Sequence, residues 1–261
     1  MQVFLHVFPL SSIIVSMIRT ILTCIFVFLF LVLSIPILLI ELLVKKLNPM
    51  AADMSQLRIV QWAFGVVEFL SGAKTTVTGL ENIPSDTPVL FVSNHQSIFD
   101  IVISYRRMPY RTGYVSKKTI EKVPLLSHYM RRLYCLFIDR DNLRSGMQMI
   151  MDGIANVKKG VSVFICPEGT RNKSGDELNL GEFHDGSFRI ASKTGCPVIP
   201  VAIHNTENIL EKHIPYLKKT RVALEFGKPI YIKDLPADMQ KKCGAYFRNE
   251  IIEMLKKYQE G

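Results

Sequence analysis

The N-terminal part of the chain is almost entirely apolar, whereas the remainder alternates short apolar runs with polar clusters. No residue from 21 to 40 is charged, and about 20 apolar residues allow a helix to span a bilayer core. A second apolar stretch, at 3–18, is separated from the first by Arg19 and Thr20. The pattern predicts a membrane-anchoring segment over residues 1–48, formed by one span at 21–44, by two spans, or by a hairpin in one leaflet.

A cleaved signal peptide and a buried core helix both fit this segment less well. A signal peptide has an apolar region of about 7–15 residues followed by a small-residue cleavage site, and no convincing site of that kind follows here. A buried core helix would show a polar face, which residues 26–33 lack. Because Lys45 and Lys46 come directly after the apolar run, we expect the domain that follows to face the cytoplasm.

Beyond residue 48 the apolar pattern predicts one long helix and then strands alternating with helices. The predicted strands are 75–78, 89–92, 111–116, 133–138, 161–166, 198–203 and 222–226. The predicted helices are 55–70, 101–106, 145–159, 187–193 and a closing helix whose apolar positions run over 239–258. This alternation indicates a layered α/β domain over residues 49–261.

Several of these predicted strands end in polar side chains. The run at 89–92 leads into His95 and Asp100, and later strands end at Lys117, at Arg140 and at 168–171. If the strands point the same way in one sheet, a base, a carboxylate and several cations meet at one edge, where α/β proteins place their sites. Because His95 and Asp100 are five positions apart, a turn into a helix is needed to bring them together. The carboxylate would then hold one imidazole nitrogen and leave the other as a base.

The net charge and the cysteines limit the classes of binding partner and the compartment that we expect for this protein. The net charge of +9 suits an anionic bilayer surface and phosphate-bearing substrates. No motif or aromatic-basic pattern for nucleic acid accompanies it, so we expect no nucleic-acid partner. The five cysteines are scattered and odd in number, which argues against a disulfide framework or a zinc site and for a reducing compartment.

Four blocks of the sequence resemble, in order, the motifs of the glycerolipid acyltransferase family. Asn94-His95-Gln96-Ser97 followed by Asp100 resembles the H-x4-D core of that family. Residues 137–140 are similar to its second block, 167–171 to its third and 196–201 to its fourth, so the resemblance covers about 77–232. Three positions depart from it: Cys166, Asn172, and His184 in the sequence Phe-His-Asp-Gly, where the family often has FKxG. The missing lysine bears on which head group the acceptor has.

The resemblance, closest to the lysophosphatidic acid acyltransferases, implies an α/β acyltransferase domain with a mixed central sheet flanked by helices. It implies acyl transfer from a coenzyme A or acyl-carrier-protein thioester to the sn-2 hydroxyl of 1-acylglycerol 3-phosphate, giving phosphatidic acid for phospholipid biosynthesis. His95 would be the general base and Asp100 its partner. Backbone N–H groups near Gly169 would stabilise the oxyanion. We expect no metal and no cofactor. The substrate-binding residues that it implies are Asn94, Ser97, Lys117, Arg140, Glu168, Gly169, Thr170 and Arg171.

The phosphate of the acceptor is assigned to the basic members of that set, Arg171, Arg140 and Lys117. Glu168 either orients an arginine, binds the glycerol hydroxyl, or forms a surface ion pair with Arg171 three residues later. Two alternatives stay open: an acyltransferase for another lysophospholipid or for glycerol 3-phosphate, and an inactive membrane lipid-binding protein. A serine hydrolase is disfavoured because Ser97 lacks a GxSxG context.

Overall fold

A computed structural model describes residues 10–259 of the chain; the first part of the apolar stretch at 3–18 lies outside this range. The helices are α1 (Leu10–Leu33), α2 (Ile35–Leu47), α3 (Pro49–Ser71), α4 (Phe99–Tyr105), α5 (Leu126–Arg132), α6 (Leu143–Lys158), α7 (Arg189–Thr194), α8 (Ala237–Lys241) and α9 (Cys243–Lys256). The strands are β1 (Lys74–Thr78), β2 (Leu90–Ser93), β3 (Thr112–Lys117), β4 (Leu136–Ile138), β5 (Ser162–Ile165), β6 (Val198–His204) and β7 (Arg221–Phe226).

The strands form one mixed sheet in the order β1-β7-β6-β2-β5-β3-β4. Among the described strands only the β6–β7 pair is antiparallel, and all other neighbours are parallel. Strands β2 to β6 therefore run in one direction, and their carboxyl ends share one edge of the sheet. The mixed, layered α/β fold expected from the sequence is confirmed.

The sheet is covered on both faces. Along β2, Phe91 packs into the core on the side of α3 and α4, whereas Leu90 and Val92 pack into the core on the side of α6, α7 and α9. This alternation is the two-residue period of a strand. The strand is hydrophobic at every position from 89 to 92 because both of its faces are buried.

The N-terminal apolar segment differs from the expected arrangement. α1 continues through Arg19 and Thr20, and the helix is interrupted instead at Ser34, just before Pro36. Arg19 is tolerated in this helix because its guanidinium lies beside Gly72, the left-handed residue that ends α3, where a cation is favourable. The helix residues Ser11–Leu33 are long and apolar enough to cross a membrane, and only 6% of the most apolar window is buried. This exposure is consistent with membrane association.

The helices of this segment pack closely on the domain that follows. Phe30 contacts Trp62 and Arg19 lies near Gly72, so α1 runs antiparallel to α3. In α2, Leu38 belongs to the main apolar core, and buried Glu41 pairs with buried Arg132 at 3.4 Å. Part of α2 thus packs into the core, and the division at 48/49 into two domains stays a prediction.

One predicted strand begins later than expected. The prediction of a strand at 133–138 is wrong for its first half, because α5 occupies 126–132 and was not predicted. Leu133 and Cys135 still donate backbone hydrogen bonds to the last turn of α5, and Tyr134 has a φ of 60°. Strand pairing therefore starts only at Leu136. The closing helix is likewise interrupted at Lys242, between α8 and α9.

Candidate active site

His95 and Asp100 lie together where β2 ends at the shared edge of the sheet. The chain leaves β2 at Ser93, turns, and enters α4, which carries Asp100 in its first turn. Nδ1 of His95 is 2.8 Å from Oδ2 of Asp100, and the side chains are 17% and 1% exposed. Because the carboxylate accepts, the proton sits on Nδ1 and Nε2 keeps a free lone pair. In the described part of the chain, Nε2 makes no hydrogen bond.

The carboxylate of Asp100 is fully surrounded by donors. Oδ2 also accepts from the backbone N–H groups of Gln96 at 2.7 Å and Ser97 at 2.9 Å. Oδ1 accepts from the hydroxyl of Thr206. A buried charge is stable only when it is paired and hydrogen-bonded in this way. Asp100 therefore holds both the turn and the imidazole.

Glu168 supports the same turn from the loop after β5. Its Oε1 accepts from the N–H of His95 at 3.0 Å and its Oε2 from the N–H of Gly181 at 2.9 Å. Burial raises the pKa of Glu168 above its ordinary value, although both N–H bonds act in the opposite direction. Among the described residues it forms no ion pair with an arginine, so the alternative of a surface ion pair with Arg171 is not found. Glu168 thus supports the backbone of His95.

Asn94 and Ser97 have no surface left for a substrate. Both are 0% exposed. The amide of Asn94 pairs with the backbone of Ile203, donating at 2.8 Å and accepting at 3.0 Å, which ties the end of β2 to β6. The hydroxyl of Ser97 accepts from the N–H of Phe99 at the start of α4. Both side chains are used to shape the turn, and their assignment to substrate binding stays a prediction.

The basic side chains lie at the same edge, in different environments. Nη1 of Arg171 is 2.9 Å from Oε1 of Glu211, which also accepts from the N–H of Ile98 beside the His–Asp turn. Lys117 ends β3 and Arg140 lies just past β4; both are exposed, and within residues 10–259 neither side chain has a hydrogen bond or an ion pair. The structure thus links Arg171 to the turn and leaves the other two cations nearby but unpaired.

The loop after β5 carries both bonded and unbonded backbone N–H groups. Gly169 has a φ of 70°, which favours glycine, and its N–H already donates to the carbonyl of Cys166 at 3.0 Å. The Gly169 N–H is therefore not available to an oxyanion. The N–H groups of Thr170 and Arg171 make no hydrogen bond in the described structure, and the Thr170 side chain is exposed.

The nearest thiol is not a nucleophile. Burial raises the pKa of Cys166 well above its ordinary value, and the carboxylates of Asp100 and Glu168 act in the same direction. The thiol stays protonated at neutral pH, and only a thiolate attacks efficiently. Cys166 is therefore not a candidate nucleophile at this site.

Thr206 and Glu211 were missed from the sequence, although both touch the site. Thr206 follows β6 after His204 and Asn205, so the same rule of polar residues at strand ends would have found it. Glu211 lies farther along the loop between β6 and β7, and no pattern in the sequence marks it.

Fold and site together define an α/β domain with a His–Asp base and several cations at one edge of a mixed sheet, an arrangement suited to deprotonating a hydroxyl beside an anionic ligand. A model of the Acyltransferase family matches residues 74–204, half of the chain. The chain belongs to this acyltransferase family.

The relatives that carry names are of one particular kind of acyltransferase. It is 40% identical over 162 residues to the chloroplastic 1-acyl-sn-glycerol-3-phosphate acyltransferase BAT2 of Brassica napus, covering 60% of this chain but 45% of that protein. It is 28% identical over 187 residues to the 1-acyl-sn-glycerol-3-phosphate acyltransferase of Borreliella burgdorferi, covering 72% and 74%. The chain thus spans less than half the length of the Brassica relative.

A solved structure shares the fold along nearly the whole chain. The 1-acyl-sn-glycerophosphate (LPA) acyltransferase PlsC of Thermotoga maritima superposes with a TM-score of 0.81 at 23% identity. The match covers 94% of this chain and 97% of that one. At this identity the likeness bears on the fold alone, which includes the N-terminal helices.

Proposed function

We propose that this protein transfers an acyl chain from a coenzyme A or acyl-carrier-protein thioester to the sn-2 hydroxyl of 1-acylglycerol 3-phosphate, forming phosphatidic acid. The observation that carries the proposal is the His95–Asp100 pair with its free Nε2, set within an acyltransferase-family domain. The names of the relatives support the acceptor.

The chemistry needs a base but no enzyme nucleophile, since a thioester is already activated. Nε2 of His95 takes the proton of the acceptor hydroxyl as its oxygen attacks the thioester carbonyl. Asp100 stabilises the imidazolium that forms. When the tetrahedral intermediate collapses, the C–S bond breaks and the imidazolium returns the proton to the leaving thiolate. The unbonded N–H groups of Thr170 and Arg171 are the candidate donors to the oxyanion.

Arg171 is the candidate that binds the acceptor phosphate. Its pairing with Glu211 uses Nη1, so the remaining guanidinium donors are available for a phosphate. It is linked through Glu211 to the N–H of Ile98, close to the base. Arg140 and Lys117 add positive charge at the same edge.

The membrane supplies the lipid substrates in this proposal. Drawing an acyl chain into water costs about 0.8 kcal/mol per CH₂. The loop between β6 and β7 touches α1, because the N–H of Leu217 donates to the hydroxyl of Thr20 at 2.8 Å. The loop that carries Thr206 and Glu211 thus connects the site to the exposed apolar helix. Lys45 and Lys46 at the end of α2 favour a site on the cytoplasmic side.

Purified full-length protein, supplied with a labelled acyl thioester and a panel of acceptors, tests the proposal. The panel is 1-acylglycerol 3-phosphate, glycerol 3-phosphate and a lysophospholipid with a larger head group. We expect the highest kcat/KM with 1-acylglycerol 3-phosphate and a product acylated at sn-2. A higher kcat/KM with either of the remaining acceptors would reassign the substrate, and no transfer to any acceptor would favour an inactive lipid-binding protein.

A further inference from the structure

Thr206 lies against the His–Asp pair, and the proposed reaction steps do not use it. It follows β6 directly after Asn205, and its side chain is 0% exposed. Its hydroxyl donates to Oδ1 of Asp100, the only donor to that oxygen in the described structure. The second carboxylate oxygen, Oδ2, receives the three donors from His95, Gln96 and Ser97.

We infer that Thr206 is a positioning residue of the His95–Asp100 pair, an inference that rests on the proposed role of His95 as base. Without the hydroxyl, Oδ1 is a buried charged oxygen with no partner, which is costly. The carboxylate then gains by rotating about its Cβ–Cγ bond to share the donors of Oδ2 between both oxygens. Such a rotation weakens the bond to Nδ1, and the imidazole loses its fixed tautomer and orientation.

The burial of Thr206 separates this role from substrate binding. A side chain without exposed surface cannot contact either substrate, so an effect of its hydroxyl must act through Asp100. The inference therefore predicts a change in kcat rather than in the acceptor KM.

The loop that carries Thr206 is itself fixed at several points. The carbonyl of Thr206 accepts from the N–H of Ile209 at 2.9 Å, and Glu211 accepts from the N–H of Ile98 at the start of α4. Farther along, Leu217 donates to Thr20 of α1. The hydroxyl of Thr206 is thus held by a loop that is bonded to both the catalytic turn and the N-terminal helix.

The test compares two substitutions at Thr206 with one matched control. Thr206→Val keeps the shape and removes the hydroxyl, whereas Thr206→Ser keeps the hydroxyl. Thr220→Val makes the same change in the same loop, at a buried threonine whose hydroxyl bonds only the carbonyls of Asn208 and Lys218 within the described residues. The readouts are thiol release at saturating substrates, the acceptor KM and the melting temperature of the full chain.

We expect Thr206→Val to lower kcat about 10- to 100-fold, as loss of a hydrogen bond to a charged group does, with the acceptor KM changed less than about threefold. Thr206→Ser should stay within about threefold of wild type, and so should Thr220→Val. Wild-type kcat in Thr206→Val, an equal loss in Thr206→Ser, or an equal loss in Thr220→Val would each overturn the inference.

An error in the proposed acceptor can be distinguished from an error in the role of Thr206. If the wild type acylates a different member of the panel instead, the variants are compared on that acceptor. The kcat of Thr206→Val then still decides whether Thr206 positions the pair.

Discussion

Asp100→Asn is the substitution that isolates the charge of the His–Asp pair. An asparagine can place its carbonyl oxygen where Oδ2 lies, accepting from Gln96, Ser97 and Nδ1 of His95, while its amide donates to the hydroxyl of Thr206. The turn and the tautomer are then preserved. Asp100→Ala would instead leave the two buried N–H groups unpaired and damage the fold, so it is the less informative change.

The size of the effect follows from the geometry. Opposite unit charges 2.8 Å apart attract by about 6 kcal/mol at an effective dielectric constant of about 20. The imidazolium charge is only partly developed in the transition state, so roughly half to all of this stabilisation is lost. Because each 1.36 kcal/mol is about tenfold in rate, we expect kcat to fall about 10²- to 10⁴-fold.

The assay is single-acceptor turnover at saturating thioester, with melting temperatures measured for wild type and variant. Asp152→Asn, on the exposed face of α6, serves as the control and should leave kcat unchanged. The reasoning is refuted if Asp100→Asn folds normally and keeps more than about a tenth of the wild-type kcat.

Arg171, Glu68 and the N-terminal segment give three further expected outcomes. Arg171→Ala should raise the acceptor KM about 10- to 150-fold, the loss of a charged hydrogen bond of about 1.5–3 kcal/mol, whereas a rise only in the donor KM would assign Arg171 to the thioester substrate. Glu68→Gln should lower the melting temperature at pH 7. Burial raises the pKa of Glu68, but hydrogen bonds from Arg107, Thr75 and Arg106 lower it by more, so the pKa lies below 4.5. The stabilisation by the Glu68 carboxylate is present above pH 4.5 and is lost as the pH falls through the lowered pKa. A difference in melting temperature between wild type and variant that is as large near pH 3 as at pH 7 would contradict this prediction. Deleting residues 1–48 should yield aggregated protein in a detergent gel-filtration assay, because Arg132 loses its buried partner and Leu38 leaves the core; a monodisperse, active product would show the segment to be separable.

Local pattern was enough to predict most of the fold and the centre of the site. The apolar run at 89–92 predicted a buried strand, and the five-residue spacing from His95 to Asp100 required the turn that the structure contains. Both features depend on residues that are neighbours in the chain, where periodicity and turn chemistry act directly. α5, which directly precedes the apolar run at 133–138, was not predicted.

The roles of individual polar groups were decided by tertiary structure. Thr206 lies 106 positions from Asp100 in the chain and reaches it because β6 pairs with β2 in the sheet. No local sequence pattern determines the order of the strands. The same pairing lets Asn94 bond Ile203, so its side-chain amide holds two strands together. Arg171 pairs with Glu211 rather than with Glu168 for a similar reason: burial turns Glu168 toward backbone N–H groups that need an acceptor. The sequence alone determined which residues stand at the ends of the strands; packing of the sheet and its loops determined which of them position the base and which remain available to a substrate.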